Sequence, residues 1–231
     1  MGRYLKVKQD MIPIGVIFDF DGVLADSLDC HLKAWVAASQ KVLGISIPPP
    51  TELSGHSTKT IAHIICKKYG QPNLAGYLAR TKEIAISERV EGVGLFPGVK
   101  DVVNRLMISS MPIAIGSNSS RIFVTSTLKS NGIEVRNVVT ASDVSRPKPA
   151  PDIFWACSNL MKIPREHRQK ILVFEDSPHG IEAAVSADMT PIGITTSVDA
   201  AYLNSSGARK TFSSVASAFD SGLFSDMSNA R

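Results

Sequence analysis

Residues 19–27 read "DFDGVLADS", and they follow directly on the apolar run Ile12-Pro-Ile-Gly-Val-Ile-Phe18. A short β-branched run of this kind is the mark of a strand buried on both faces. Two carboxylates one residue apart at its end repel each other, so the pair calls for a compensating cation or for chemistry that uses it. Gly22, immediately after, permits a tight turn at that point.

Four further runs have the same texture and end in small or acidic residues: "PIAIGSNSS" (112–120), "NVVTASD" (137–143), "ILVFEDS" (171–177) and "TPIGITT" (190–196). Helical patterns separate them, over about Val99–Ser109, Arg121–Ser130, Asp152–Met161 and Pro178–Ala187, the last with Ser177 as N-cap and Pro178 at the first helical position. Strands alternating with helices predict an α/β fold, a parallel sheet covered on both faces. The stretch from Ser27 to Val90 breaks the alternation. Leu28, Leu32, Trp35, Val36 and Leu43 approximate a helical stripe with Ser27 as its N-cap, and "STKTIAHIICKKYG" and "NLAGYLARTKEIAISERV" add two more helices. The expected organisation is an α/β core from residues 1–26 and 92–231, with an all-helical segment, 27–91, inserted after the first strand.

Ligands of such sheets bind outside the carboxyl ends of the strands. The first strand delivers Asp19 and Asp21 there, the second Ser117 and Asn118, a later one Glu175 and Asp176, and the loop "RPKPAPD" (146–152) places Lys148 between prolines. Acids, a hydroxyl and a lysine on one edge form a site for a hard cation and a phosphate. Carboxylates of Asp19, Asp176 and Glu175 suit Mg²⁺, which prefers oxygen ligands. Asp19 would attack phosphorus, Asp21 would serve as general acid and base, and Ser117 and Lys148 would hold phosphoryl oxygens. An EF-hand reading fails, because Gly22 comes too early in the loop.

The four stretches "DFDGVLADS", "GSNSS", "RPKPAPD" and "FEDSPHG" together resemble the motifs of the haloacid dehalogenase superfamily, and the helical insertion resembles the cap of its β-phosphoglucomutase-like group. The resemblance implies a Rossmann-like core, Mg²⁺, and phosphoryl transfer through an aspartyl-phosphate on Asp19. It also implies that Asp21 reaches the metal through its backbone carbonyl, so the expected metal set is Asp19, Asp21, Glu175 and Asp176. Dehalogenases of the family lack an acid at the position of Asp21, since a halide leaves without a proton. "DCHLKAW" (29–35) resembles the hinge helix of the mutases and includes His31. The mutases, however, grip a second phosphate with a lysine and an arginine in the cap, where this chain has "LSGHSTKT" (53–60). Ser54 replaces the lysine, Thr58 falls at the arginine, and Lys59 is one residue off, a turn of roughly 100° on a helix.

A Mg²⁺-dependent phosphatase of a small phosphorylated metabolite, a sugar phosphate foremost, is therefore expected. Gly22, Asn118, His31, His56 and Lys59 are the expected substrate contacts, with Ser57 beside them. A β-phosphoglucomutase is the alternative. A receiver-like phosphorylation module is the third reading, but such a domain is about half as long and needs neither Asp21 nor the insertion.

Composition agrees. The chain has 231 residues, 44% hydrophobic and 20% charged, with a net charge of +4. Its basic residues are scattered in short clusters such as "RPK" and "REHRQK", so nucleic acid is not an expected partner. Cys30, Cys66 and Cys157 show neither metal spacing nor a disulfide framework. The basic start "MGRYLKVKQDM" makes a poor leader, Lys6 stands where an acylation signal needs Ser or Thr, and no run is long enough to span a bilayer. The expectation is a cytoplasmic protein, monomeric by default, with no membrane partner.

Overall fold

The computed structural model describes residues 12–53 and 55–224. The basic amino-terminal segment and Ser54, both weighed above, lie outside the described residues. In chain order the elements are β1 (Gly15–Phe18), α1 (Leu28–Leu43), α2 (Thr58–Lys68), α3 (Ala75–Ser87), α4 (Val99–Ile108), β2 (Ile113–Ser117), α5 (Arg121–Ser130), β3 (Val138–Thr140), α6 (Asp152–Leu160), β4 (Ile171–Glu175), α7 (Pro178–Ser186), β5 (Thr190–Ile194), α8 (Ala200–Ser205), β6 (Lys210–Phe212) and α9 (Val215–Ala218).

The strands form one parallel sheet in the order β3-β2-β1-β4-β5-β6. Alternation of side chains along each strand divides the core in two. Val16 and Phe18 of β1, Ile115 of β2 and Phe174 of β4 pack with Val102 and Leu106 of α4 and with Phe123 and Leu128 of α5. The intervening Ile17, Ala114 and Val173 pack on the other face with Phe154 and Cys157 of α6 and Ala183 and Ala184 of α7. Both faces are covered, which is why these strands read as continuous apolar runs rather than alternating ones.

β6 was not legible in the sequence. It is a three-residue edge strand, Lys-Thr-Phe, exposed or half-buried throughout, and lacks the apolar texture that marks the others.

The helices between β1 and β2 bury a third group of side chains among themselves: Trp35, Ala38 and Leu43 from α1, Ile61, Ile65 and Cys66 from α2, and Leu78 from α3. Ala34 and Ile86 join the main core instead, and so tie this segment to the sheet. The stripe expected on α1 is only half a core stripe. Leu28 is exposed and Leu32 half-buried, and both face the cleft described below. Ser27 precedes α1 but makes no side-chain cap: its backbone is in the helical region rather than the extended one a cap needs, and its hydroxyl donates to Asp21. Ser177 does cap α7, accepting from the Gly180 N–H at 3.1 Å, with Pro178 in the first turn.

Candidate active site

β1 and β4 end side by side, with the Asp19 N–H bonded to the Phe174 carbonyl at 2.9 Å. This register puts Asp19 next to Glu175 and Asp176. Lys148 arrives from the loop before α6 and is buried among them. Its ammonium donates to Asp19 Oδ1 at 2.5 Å, to Glu175 Oε1 at 2.5 Å and to the Gly116 carbonyl at 2.6 Å, which uses all three of its protons. Outside the cluster, Arg146 forms a two-pronged ion pair with Asp152 at 3.1 and 3.0 Å and pins the loop that carries Lys148.

One ammonium faces three buried carboxylates, and the electrostatics follow. Burial, then Glu175, hold the Asp19 carboxyl well above the usual carboxylate range against the pull of Lys148. Burial and Glu175 push Asp176 up to about 7. Burial alone would lower Lys148, but Asp19 and Glu175 prevail and raise it. Asp19, Glu175 and Asp176 each bring an oxygen within 4.8 Å of the others. An all-oxygen donor set with excess negative charge fits a hard divalent cation such as Mg²⁺. Gly22 and Gly180 make room for it to form. Gly22 has φ of +77°, and a Cβ there would lie 1.8 Å from Asp176 Oδ2; a Cβ on Gly180 would lie 1.8 Å from the Glu175 carboxyl carbon.

The Asp21 side chain is outside this trio. Oδ1 accepts from Ser27 Oγ at 2.5 Å and pairs with His31 Nε2 at 3.0 Å, and Oδ2 accepts from Ser119 Oγ at 2.5 Å. Burial would raise its pKa, but the His31 and serine bonds prevail and hold it far below the usual range. Ser117 lies at the same edge, fully buried, with Oγ accepting from the Ser119 N–H at 2.9 Å. Asn118 takes the Lys148 N–H on Oδ1 at 3.1 Å and donates to the Gly55 carbonyl at 3.0 Å, so it joins the sheet edge to the helical segment.

These groups form the floor of a cleft of about 510 Å³ whose opposite wall is the helical segment. His31 and His56 line it. The His56 ring meets His179 of α7 edge to face, with centroids 4.3 Å apart. Lys59 does not line it. It is exposed, one residue after Thr58 and two before Ile61 on α2, which take the inward positions. The cation that does face the cleft from this segment is Lys82 of α3, only 2% exposed. Its Nζ is 3.5 Å from Thr58 Oγ1, 3.6 Å from Glu83 Oε1 and 5.5 Å from the Trp35 ring centroid. Burial holds it below the ordinary lysine value, with Glu83 opposing.

Sequence reasoning missed Lys82, Ser119 and Ser197, and read Ser27 as a cap alone. Lys82 did leave a signal, since it falls four residues from both Leu78 and Ile86 on the buried side of α3. Ser197, which donates to Asp176 Oδ2, left none.

A profile of the haloacid dehalogenase-like hydrolase family matches residues 16–194. A fructose-1-phosphate phosphatase of Escherichia coli is 32% identical over 192 residues, covering 78% of this chain and 95% of that protein. Hexitol phosphatase A of the same organism is 27% identical over 195 residues, covering 82% of this chain and 87% of its own. Among solved structures, β-phosphoglucomutase of Clostridium difficile has a TM-score of 0.77 at 21% identity, covering 93% of this chain and 98% of that one, a likeness of fold.

Proposed function

The chain belongs to the haloacid dehalogenase-like hydrolases, and on that premise we propose that it hydrolyses a small phosphorylated metabolite, a sugar phosphate foremost, through a phosphoryl group carried on Asp19. The observation that carries the reading is Lys148 bridging Asp19 and Glu175 beside the carboxylate trio, on the floor of a cleft closed from above by helices. The two named phosphatases support the substrate class.

In this reading a carboxylate oxygen of Asp19 attacks phosphorus, and the bond to the ester oxygen breaks. The departing oxygen takes a proton from Asp21. A water then gives its proton to Asp21 and attacks the phosphorus, which frees inorganic phosphate and restores Asp19. Ser117 and Asn118 hold the phosphoryl oxygens that do not react, and the Lys148 charge beside them stabilises the negative charge. A bound Mg²⁺, held by Asp19, Asp176 and the Asp21 carbonyl with Glu175 adjoining, would offset phosphoryl charge and relieve the repulsion among the carboxylates. Asp21 in its nest of donors is held as the carboxylate, the form that can accept a proton from water. The acid half of the cycle needs it protonated, and a phosphoryl dianion brought alongside raises its proton affinity. The helical segment after β1 acts as a cap over the α/β core and excludes bulk water, with His31, His56 and Lys82 facing the leaving group.

Lys82 favours a second reading, a phosphosugar mutase, since a mutase must hold a bisphosphate by its far end. Glu83 at 3.6 Å offsets that charge, however, and a second phosphate dianion needs excess cation. Phosphate release from a panel of phosphorylated metabolites, with and without Mg²⁺, decides between them. Mg²⁺-dependent release supports the phosphatase. Conversion of β-glucose 1-phosphate to glucose 6-phosphate without release would establish the mutase. Asp19→Asn is expected to lower turnover by about 10⁴-fold or more, and substantial remaining activity would remove Asp19 as nucleophile.

A further inference from the structure

The loop after β5, Thr195–Asp199, belongs to none of the sequence motifs, yet it is held at both ends and reaches two of them. Thr195 is bonded to the Phe212 carbonyl of β6 through its N–H at 2.9 Å. Asp199 caps α8 by accepting the Tyr202 N–H at 2.9 Å. Between these anchors, Thr196 Oγ1 donates to the Gly22 carbonyl at 2.5 Å, and Ser197 Oγ donates to Asp176 Oδ2. Gly22, Asp176 and Ser197 are packed so closely that a Cβ on Gly22 would sit 1.8 Å from Asp176 Oδ2 and 3.2 Å from Ser197 Oγ. The Oδ2 side of the carboxylate is therefore fixed by one hydroxyl and by the turn that follows β1.

We propose that Ser197 is a positioning residue: its hydroxyl sets the orientation in which Asp176 meets a divalent cation beside Asp19, while Thr196 registers the Gly22 turn against it. The inference rests on the metal site of the proposed phosphatase. A ligating carboxylate that loses an orienting hydrogen bond costs about 10–100-fold in metal affinity, and here the orienting group is separated from its carboxylate by 21 residues of chain. Ser197 also borders the cleft, so direct substrate contact is the competing role, and the two roles move different quantities.

The test is Mn²⁺ binding to the metal-stripped full chain, without substrate, followed by the electron paramagnetic resonance signal of free Mn²⁺. Ser197→Ala is expected to weaken binding about tenfold or more, Ser197→Thr to stay within about threefold of the natural protein, and KM at saturating Mg²⁺ to be unchanged. Thr196→Val, which keeps the volume and loses only the bond to Gly22, should weaken binding in the same direction; it is the second arm should Ser197→Ala fold poorly. Unaltered Mn²⁺ affinity in both variants overturns the proposal, and so does a raised KM with unaltered affinity, which makes Ser197 a substrate contact. Asp176→Asn separates the levels: if it binds Mn²⁺ as well as the natural protein, the metal reading itself fails and the positioning role falls with it.

Discussion

Asp19 and Asp21 look equivalent in the sequence, and their surroundings make them opposite. Asp19 shares one ammonium with Glu175 and is pushed up by burial, whereas Asp21 has a histidine and the hydroxyls of Ser27 and Ser119, with Ser117 at 3.5 Å, and is held down. Asp21→Asn is expected to slow phosphate esters of alcohols by about 10²–10⁴-fold and p-nitrophenyl phosphate far less, because p-nitrophenolate leaves without a proton. Equal losses on both substrates would remove Asp21 as the acid. Lys148→Met leaves three buried carboxylates without a cation, a loss of about 3–5 kcal/mol, to be read from urea unfolding without metal. That Lys148 would come beside the acids was legible, because prolines on either side hold its backbone in a loop at the same edge of the sheet. That Ser27 and Ser119 would clasp Asp21 was not, since a serine before a helix reads first as a cap and a serine in a loop reads as a turn.

At the scale of elements, legibility followed burial. Five strands announced themselves because both their faces are covered, and β6 did not because its side chains are exposed or half-buried. On α1 the apolar positions were found, but Leu28 and Leu32 serve the cleft rather than a core, a distinction that periodicity alone does not carry. The contact between the loop before α2 and the start of α7 was invisible too, because it joins residues 56 and 179. It should respond to acid. Burial, then His56, hold His179 below its ordinary 6.5, with Glu182 and Glu175 opposing. A base whose folded pKa is lowered takes up its proton later than the unfolded chain, so its contribution to stability is complete above pH 6.5 and is lost as pH falls through the folded value. The melting temperature of the natural protein should therefore drop more steeply between pH 6.5 and 5 than that of His179→Asn. Parallel curves would show that the two rings meet without consequence.

For the whole molecule, the strand order places β1 at the centre, so the cleft draws residues from nearly the full length of the described chain. Cation binding should then stabilise the fold as a unit. Mg²⁺ at a hundred times its dissociation constant adds about 2.7 kcal/mol, equivalent to roughly 5–11 °C in the melting temperature of a chain of this size, and a chelator should reverse it. No shift would argue against the carboxylate trio as a metal site. The same strand order has a consequence during synthesis. Gly15 of β1 pairs with Ile171 of β4, 156 residues further on (171 minus 15). At about 5–20 residues per second, a ribosome needs roughly 8–30 s to supply that partner. Through that interval one edge of Val-Ile-Phe stays unpaired, so the nascent chain should depend on chaperones that shield strands until β4 emerges, a dependence that ribosome profiling of chaperone-bound nascent chains would locate between β1 and β4.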